Sequence, residues 1–272
     1  MTNGRSTDAP TTNRGAAKPA ALVALLIAAY AAVIYLPFLG FSRTLTSHEV
    51  MVTHPALRML DDNAWIVPHY SSGRWLDKPP LVNWLTAACF AAYGGFNELP
   101  ARLPSALSAI ALCVLVFVLT DRFYSRRAAV FAGLMQATCV YMYMQGRLGE
   151  IDMVFALFLA GSHAVLVWYW GQGRIKLPIG AAMLFHASAG LAMLSKGALG
   201  VVLIGFTVFA FCIIKRSWQP FRAVVFTPGI IAFLVVTVPW HVAAYMVAGE
   251  EALEQWSYNS VLRFVGLHHL AP

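Results

Sequence analysis

Charge is what this sequence has least of. Only 11% of its 272 residues are Asp, Glu, Lys or Arg, against about a quarter in a soluble globular chain. Hydrophobic residues make up 59%, too much for the surface of a water-soluble globule, so the chain reads as a multi-spanning membrane protein. Cysteine is scarce too: Cys89, Cys113, Cys139 and Cys212 stand singly in apolar runs. Without paired spacing they are expected as small buried side chains, not as disulfides or metal ligands. Also missing are a Gly-rich phosphate loop, a Ser-His-Asp order, CxxC and HExxH, so none of the chemistries those motifs signal is indicated.

What is present is a series of apolar runs. A membrane-crossing helix needs about 20 predominantly apolar residues. Seven segments qualify: 20–39, 101–120, 128–145, 151–170, 177–194, 199–214 and 223–247. Residues 81–93 are apolar as well, but 13 residues of helix reach only about 20 Å against roughly 30 Å of hydrocarbon. That helix is assigned to the interface, where Trp84 and Tyr93 suit the headgroup region. Residues 1–18 read as a disordered cytoplasmic tail before a signal anchor, and 19–272 as the transmembrane domain. The fold class expected is therefore all-α, a polytopic membrane bundle of about seven spans.

Orientation follows from the charges that remain. With the N-terminus cytoplasmic, the inner segments hold 11 of the 19 basic residues, mostly in short loops near helix ends, where the bias counts most. Of the 12 acidic residues only Asp8 and Asp121 fall inside. If 81–93 crossed, Arg122, Arg126 and Arg127 would land outside and the bias would collapse. The net charge of +7 is thus a topological signature, and no nucleic-acid partner is expected. No Asp, Glu, Lys or Arg sits in the middle of a span; only His163, His186 and His241 do.

The longest polar interval is 47–84, SHEVMVTHPALRMLDDNAWIVPHYSSGRWLDKPPLVNW. Thr46 to Glu49 has the form of a capping box, with Glu49 reaching back to the Thr46 amide. The functional alternative makes Glu49 a general base or cation ligand, and neighbouring His48 enters as a second candidate. Lys78 precedes Pro79-Pro80, so its backbone is stiffened at headgroup height; it is either a snorkelling lysine or a phosphate ligand. Glu150 reads as a partner of a helix dipole. Asp152 faces the same outer pocket as Glu49 and is taken as catalytic. Lys196 and Arg263 complete the outer face, and Arg suits bidentate phosphate recognition. Glu49, His48 and Asp152 could also ligate a divalent metal, although the chemistry does not demand one. Residues alone thus define a membrane enzyme or binding protein for an anionic lipid-like ligand.

The order of motifs adds to this. SHEVMVTHPALRML, NAWIVPHYSSGRWLDKPPLVNWL, FNELPARLPSALSAIA, GRLGEIDM, SKGALG, PWHVAAYM and a final RF resemble the integral-membrane glycosyltransferases that use polyprenyl-phosphate sugars. The resemblance is to the aminoarabinose transferase and protein O-mannosyltransferase group, and it covers roughly residues 20–266. It implies a GT-C fold, a polyprenyl-phosphate-linked sugar donor, an unidentified acceptor and an extracytoplasmic active site. It further implies that Asp152 matches the second-loop aspartate, Lys78 and Arg263 the phosphate-binding cations, and Lys196 the Lys-Gly after the fifth span. The family's first-loop Asp-Glu pair is His48-Glu49 in this sequence, so the leading acid is replaced. Family members run through further spans, so the expectation is a fragment, the N-terminal part of a longer chain, with a reduced form of the family as the alternative. The rival expectations are a lipid-phosphate transporter or flippase, and a catalytically inactive membrane subunit.

Overall fold

The structure is a computed structural model, and it describes residues 14–41, 44–71 and 73–259. Helix α1 (Arg14–Tyr35) leads into a polar cap made of α2 (Ser47–Asp61), a two-strand hairpin β1 (His69–Tyr70) and β2 (Gly73–Arg74), and α3 (Leu81–Tyr93). There follow α4 (Glu98–Phe123), α5 (Arg126–Thr138), α6 (Val140–Gly146), α7 (Asp152–Trp170), α8 (Ile179–Lys196) and α9 (Leu199–Lys215). The short α10 (Gln219–Val225), the long α11 (Ile230–Ala248) and α12 (Glu250–Ser257) complete the described chain. Of the tail expected over 1–18, residues 1–13 lie outside the described residues, and helix begins at Arg14.

Helix α4 is the central post, packed on α1, α3, α5, α6 and α7, while α8 joins α7 to α9 and α11. Close approach rests on small side chains: Ala106, Ala109 and Cys113 of α4 are buried against Tyr35 of α1. At Gly146 any Cβ would fall 2.6 Å from the Tyr35 ring. Small residues serve this purpose in membrane bundles, where apolar burial does not drive helices together. The Tyr35 hydroxyl donates to the Ala137 carbonyl at 3.2 Å and ties α1 to α5.

Helices α4, α7, α8 and α11 are long and apolar enough to cross a membrane. Ala20–Tyr35 and Leu199–Lys215 are shorter apolar helices, as is Leu81–Tyr93. That last helix has the boundaries expected of the interfacial segment. Two expected spans differ from the structure. The run 128–145 is divided at Cys139, whose ψ of 124° breaks the helix into α5 and α6. Thr138 immediately before it bonds back to the Leu134 carbonyl at 2.9 Å, an arrangement that bends helices. The run 223–247 is divided too: residues 223–225 end α10, and the long helix starts only at Ile230, because Thr227-Pro228-Gly229 intervenes. Proline cannot continue the preceding helix, and a Cβ at Gly229 would lie 2.6 Å from the Ala182 backbone.

The ends of the bundle are chemically distinct. At one, Arg122 donates to the Gln172 side chain at 2.8 Å and Arg126 pairs with Asp121. At the other, the cap meets the turn between α6 and α7 and the turn after α8.

Candidate active site

Among the described residues, Glu49, His48, Asp152 and Lys196 are positioned by helix ends. The capping box expected at the start of α2 is present: the Glu49 amide donates to Thr46 Oγ1 at 3.2 Å, and the Thr46 amide donates to Glu49 Oε2 at 2.9 Å. Glu49 does more than cap. Its Oε1 accepts from Arg102 Nε at 2.7 Å and from the Gly149 amide at 2.9 Å. Both side chains of the Glu49–Arg102 pair are 0% exposed, and Arg102 also donates to the Leu39 carbonyl at 2.8 Å. Burial pushes the Glu49 carboxyl up, but the Arg102 hydrogen bond, the Gly149 and Thr46 amides and the guanidinium charge outweigh it, so its pKa lies below the ordinary carboxylate value. A carboxylate so enclosed binds three parts of the chain together and has no surface to offer an acceptor.

Arg102 is the residue that sequence reasoning passed over. The signal was there: an arginine one turn into an apolar helix needs an anion at the same depth, and Glu49 is the acid that the cap brings to it.

Asp152 stands in the first turn of α7. Lys196, in the last turn of α8, forms an ion pair with it; the Asp152 side chain is 38% exposed and the Lys196 side chain 28%. The Lys196 ammonium also lies over the Phe155 ring, 5.7 Å from its centroid, a favourable placement for a cation. Next to it, Gly197 has a φ of +73°, which favours glycine; a Cβ there would sit 4.0 Å from Pro79 Cδ. The turn carrying Lys196 thus abuts the Lys78-Pro79-Pro80 segment. Pro79 and Pro80 are buried and Lys78 is half-buried. The cap around them is braced by Arg74, which donates to Glu251 Oε2 at 3.0 Å, and by the indoles of Trp84 and Trp240, which donate to the carbonyls of Trp65 and Ile66 at 2.8 Å.

The structure therefore brings together Asp152, Lys196 and the Lys78 segment at the cap, and joins Glu49 to the Asp152 turn through Gly149. His48 is exposed in the first turn of α2. Arg263 lies outside the described residues. A metal site at Glu49, His48 and Asp152 does not fit this arrangement: both Glu49 oxygens are engaged by donors. Among the described residues no group of three or more His, Cys, Asp or Glu is disposed to hold a metal ion. Two apolar clefts, of about 500 and 710 Å³, lie between the helices, and neither is lined by a candidate residue.

Bundle and cap together define an integral membrane protein with the GT-C glycosyltransferase architecture. The fold is that of ArnT from Cupriavidus metallidurans bound to undecaprenyl phosphate, with a TM-score of 0.79 at 23% identity over 88% of this chain and 44% of that one. It also matches the Saccharomyces cerevisiae protein O-mannosyltransferase Pmt1-Pmt2 complex bound to the sugar donor, with a TM-score of 0.61 at 15% identity over 88% of this chain and 34% of that one. The chain belongs to the dolichyl-phosphate-mannose-protein mannosyltransferase family, whose sequence profile residues 77–242 match. A curated relative is the undecaprenyl phosphate-alpha-4-amino-4-deoxy-L-arabinose arabinosyl transferase of Enterobacter sp. (strain 638), 25% identical over 215 residues, which is 77% of this chain and 38% of that protein. The chain spans less than half the length of the curated relatives it matches, 48% and 38% for two of them.

Proposed function

We propose that this chain carries the donor-handling part of a glycosyltransferase that moves a sugar from a polyprenyl-phosphate carrier to an acceptor hydroxyl or phosphate oxygen. The observation that carries the reading is the Asp152–Lys196 pair, open to the surface and set against the Lys78-Pro79 segment. A carboxylate paired with one ammonium group, next to a backbone segment that carries a second lysine, matches what the transfer needs: a proton acceptor on one side of the anomeric carbon and compensating positive charge on the other. The arabinosyl transferase of Enterobacter is named for an undecaprenyl phosphate substrate and the ArnT structure is bound to undecaprenyl phosphate, which supports the same substrate class.

In this scheme Asp152 orients the acceptor oxygen and takes its proton. The new bond forms between that oxygen and the anomeric carbon. The bond from that carbon to the phosphate oxygen breaks, and its electron pair leaves on the polyprenyl phosphate. Lys78 and Lys196 stabilise the charge developing there, and Arg263 is proposed as a third cation. The attack is direct, with inversion, and needs no nucleophilic side chain. Glu49 belongs to the scaffold of the site, and exposed His48 is the secondary proton acceptor. A flippase would need a polar path, yet His163, His186 and His241 each bond a backbone carbonyl. The charge bias of the loops supports an extracytoplasmic site at the plasma or inner membrane with a cytoplasmic N-terminus.

Two measurements test this. Purified protein in detergent is assayed for transfer from undecaprenyl-phosphate aminoarabinose and undecaprenyl-phosphate mannose, with Asp152→Asn and His48→Ala as variants. Full turnover in Asp152→Asn would sink the assignment. Cysteines introduced at Asp61 and Ser125, in a background without the native ones, report sidedness; labelling of position 125 from outside would overturn the orientation.

A further inference from the structure

Helix α7 begins without a cap of its own. Ile151, at its N-cap position, has helical backbone angles and makes no side-chain capping bond, whereas α2 has a full capping box. An uncapped first turn is free to fray, yet it is this turn that presents Asp152. Bonds from other helices hold the approach to it. Ser105 Oγ of α4, on a residue 1% exposed, donates to the Glu150 carbonyl at 3.0 Å. The Gly149 amide donates to Glu49 Oε1 at 2.9 Å. Arg147 donates to the Tyr35 and Ile34 carbonyls at 3.0 and 3.3 Å. Gly149 itself lies against α4 so closely that a Cβ would meet the Ala101 carbonyl oxygen at 2.9 Å.

We infer that Ser105 and Gly149 are positioning residues that set where Asp152 stands, through a tether from α4 to the turn before α7. The inference rests on Asp152 being the reacting carboxylate. Neither residue touches substrate in this scheme. Both act by fixing the turn, Ser105 by a hydrogen bond and Gly149 by permitting contact. Displacement of a reacting group by about 1 Å can cost on the order of a hundredfold in rate, so the effect belongs in kcat and not in donor binding.

The experiment compares Ser105→Ala, Ser105→Cys and Gly149→Ala with Ser108→Ala, a buried serine on the same helix that bonds only within it, to Pro104 at 2.7 Å. Two readouts are taken: kcat and donor KM, and hydrogen exchange of the peptide covering 147–154. Ser105→Ala should lower kcat about tenfold or more with donor KM unchanged, and should speed exchange of the 149–153 amides. Ser105→Cys, nearly isosteric with a weak S–H donor, should fall between it and the native protein. Ser108→Ala should move neither readout. Gly149→Ala should lower kcat at least as far; if it fails to fold, the Ser105 variants still decide. Exchange in Ser105→Ala no faster than in Ser108→Ala, or a loss confined to KM, overturns the tether. Persistence of turnover in Asp152→Asn removes the site reading alone, because the exchange data judge the tether without reference to catalysis.

Discussion

Two acid–cation pairs sit at the same end of this bundle and were built for different ends. Glu49–Arg102 is 0% exposed on both sides, while Asp152–Lys196 leaves 38% and 28% of its side chains open. The first is wrapped in further donors and acceptors from α2, α4, the 36–41 turn and the turn at Gly149. The second has an aromatic face beneath it and open surface above. Burial makes a pair expensive to break, because removing one partner strands the other without water. Exposure makes a pair cheap to open and lets a ligand of like charge replace one member. A buried acid is therefore evidence about architecture, and a half-open acid paired with a half-open cation is where the proposed chemistry is to be sought.

The comparison breaks first at Arg102. Arg102→Ala should destabilise the protein by about 3–5 kcal/mol, as expected when a buried charge loses its partner. Glu49→Gln combined with Arg102→Met should recover much of that loss, since neither replacement is charged. Thermal unfolding in detergent measures both, and a single variant as stable as the native protein would mean that the pair is not sealed. Asp152→Asn should do the reverse. Its stability should stay within about 1 kcal/mol of native, the range for exposed pairs, while transfer falls on the order of a hundredfold or more.

How far this contrast was legible in the sequence differs between the two pairs. The gathering of Glu49, Lys78, Asp152 and Lys196 at one end followed from counting apolar runs and charges, because the bilayer imposes helix length and loop sidedness. The helix at 81–93, with its boundaries, and the capping box at Thr46 were legible for the same kind of local reason. Which acid is sealed was not, because that depends on where Arg102 lies in space, and 53 residues separate it from Glu49. The breaks at Cys139 and at Thr227-Pro228-Gly229 were hidden inside runs whose apolarity alone passed for a span. Hydropathy records what a segment can be immersed in, not whether its backbone continues as one helix.

Lys78 sharpens the comparison on the binding side. A hydrogen bond to a charged group contributes about 1.5–3 kcal/mol, so Lys78→Ala should weaken undecaprenyl phosphate binding roughly 10- to 100-fold. Titration of the purified protein with undecaprenyl phosphate measures this, and unaltered affinity would remove Lys78 from the phosphate site.

The smallest effect is the pH response of the sealed pair. Burial favours protonated Glu49, but the bonds from Arg102, Gly149 and Thr46 prevail and hold its pKa below the ordinary 4.5. Between the lowered folded value and the unfolded value, the unfolded chain binds a proton that the folded protein refuses, so stability rises with pH across that window. The contribution is complete above the unfolded carboxylate value and is lost as pH falls through the folded one. The native unfolding midpoint should therefore drop more steeply below about pH 4.5 than that of the Glu49→Gln/Arg102→Met protein, which has no charge to lose at this position. Parallel curves would mean that Glu49 titrates as a solvated acid, and the distinction between a sealed and an open pair would then fail at its source.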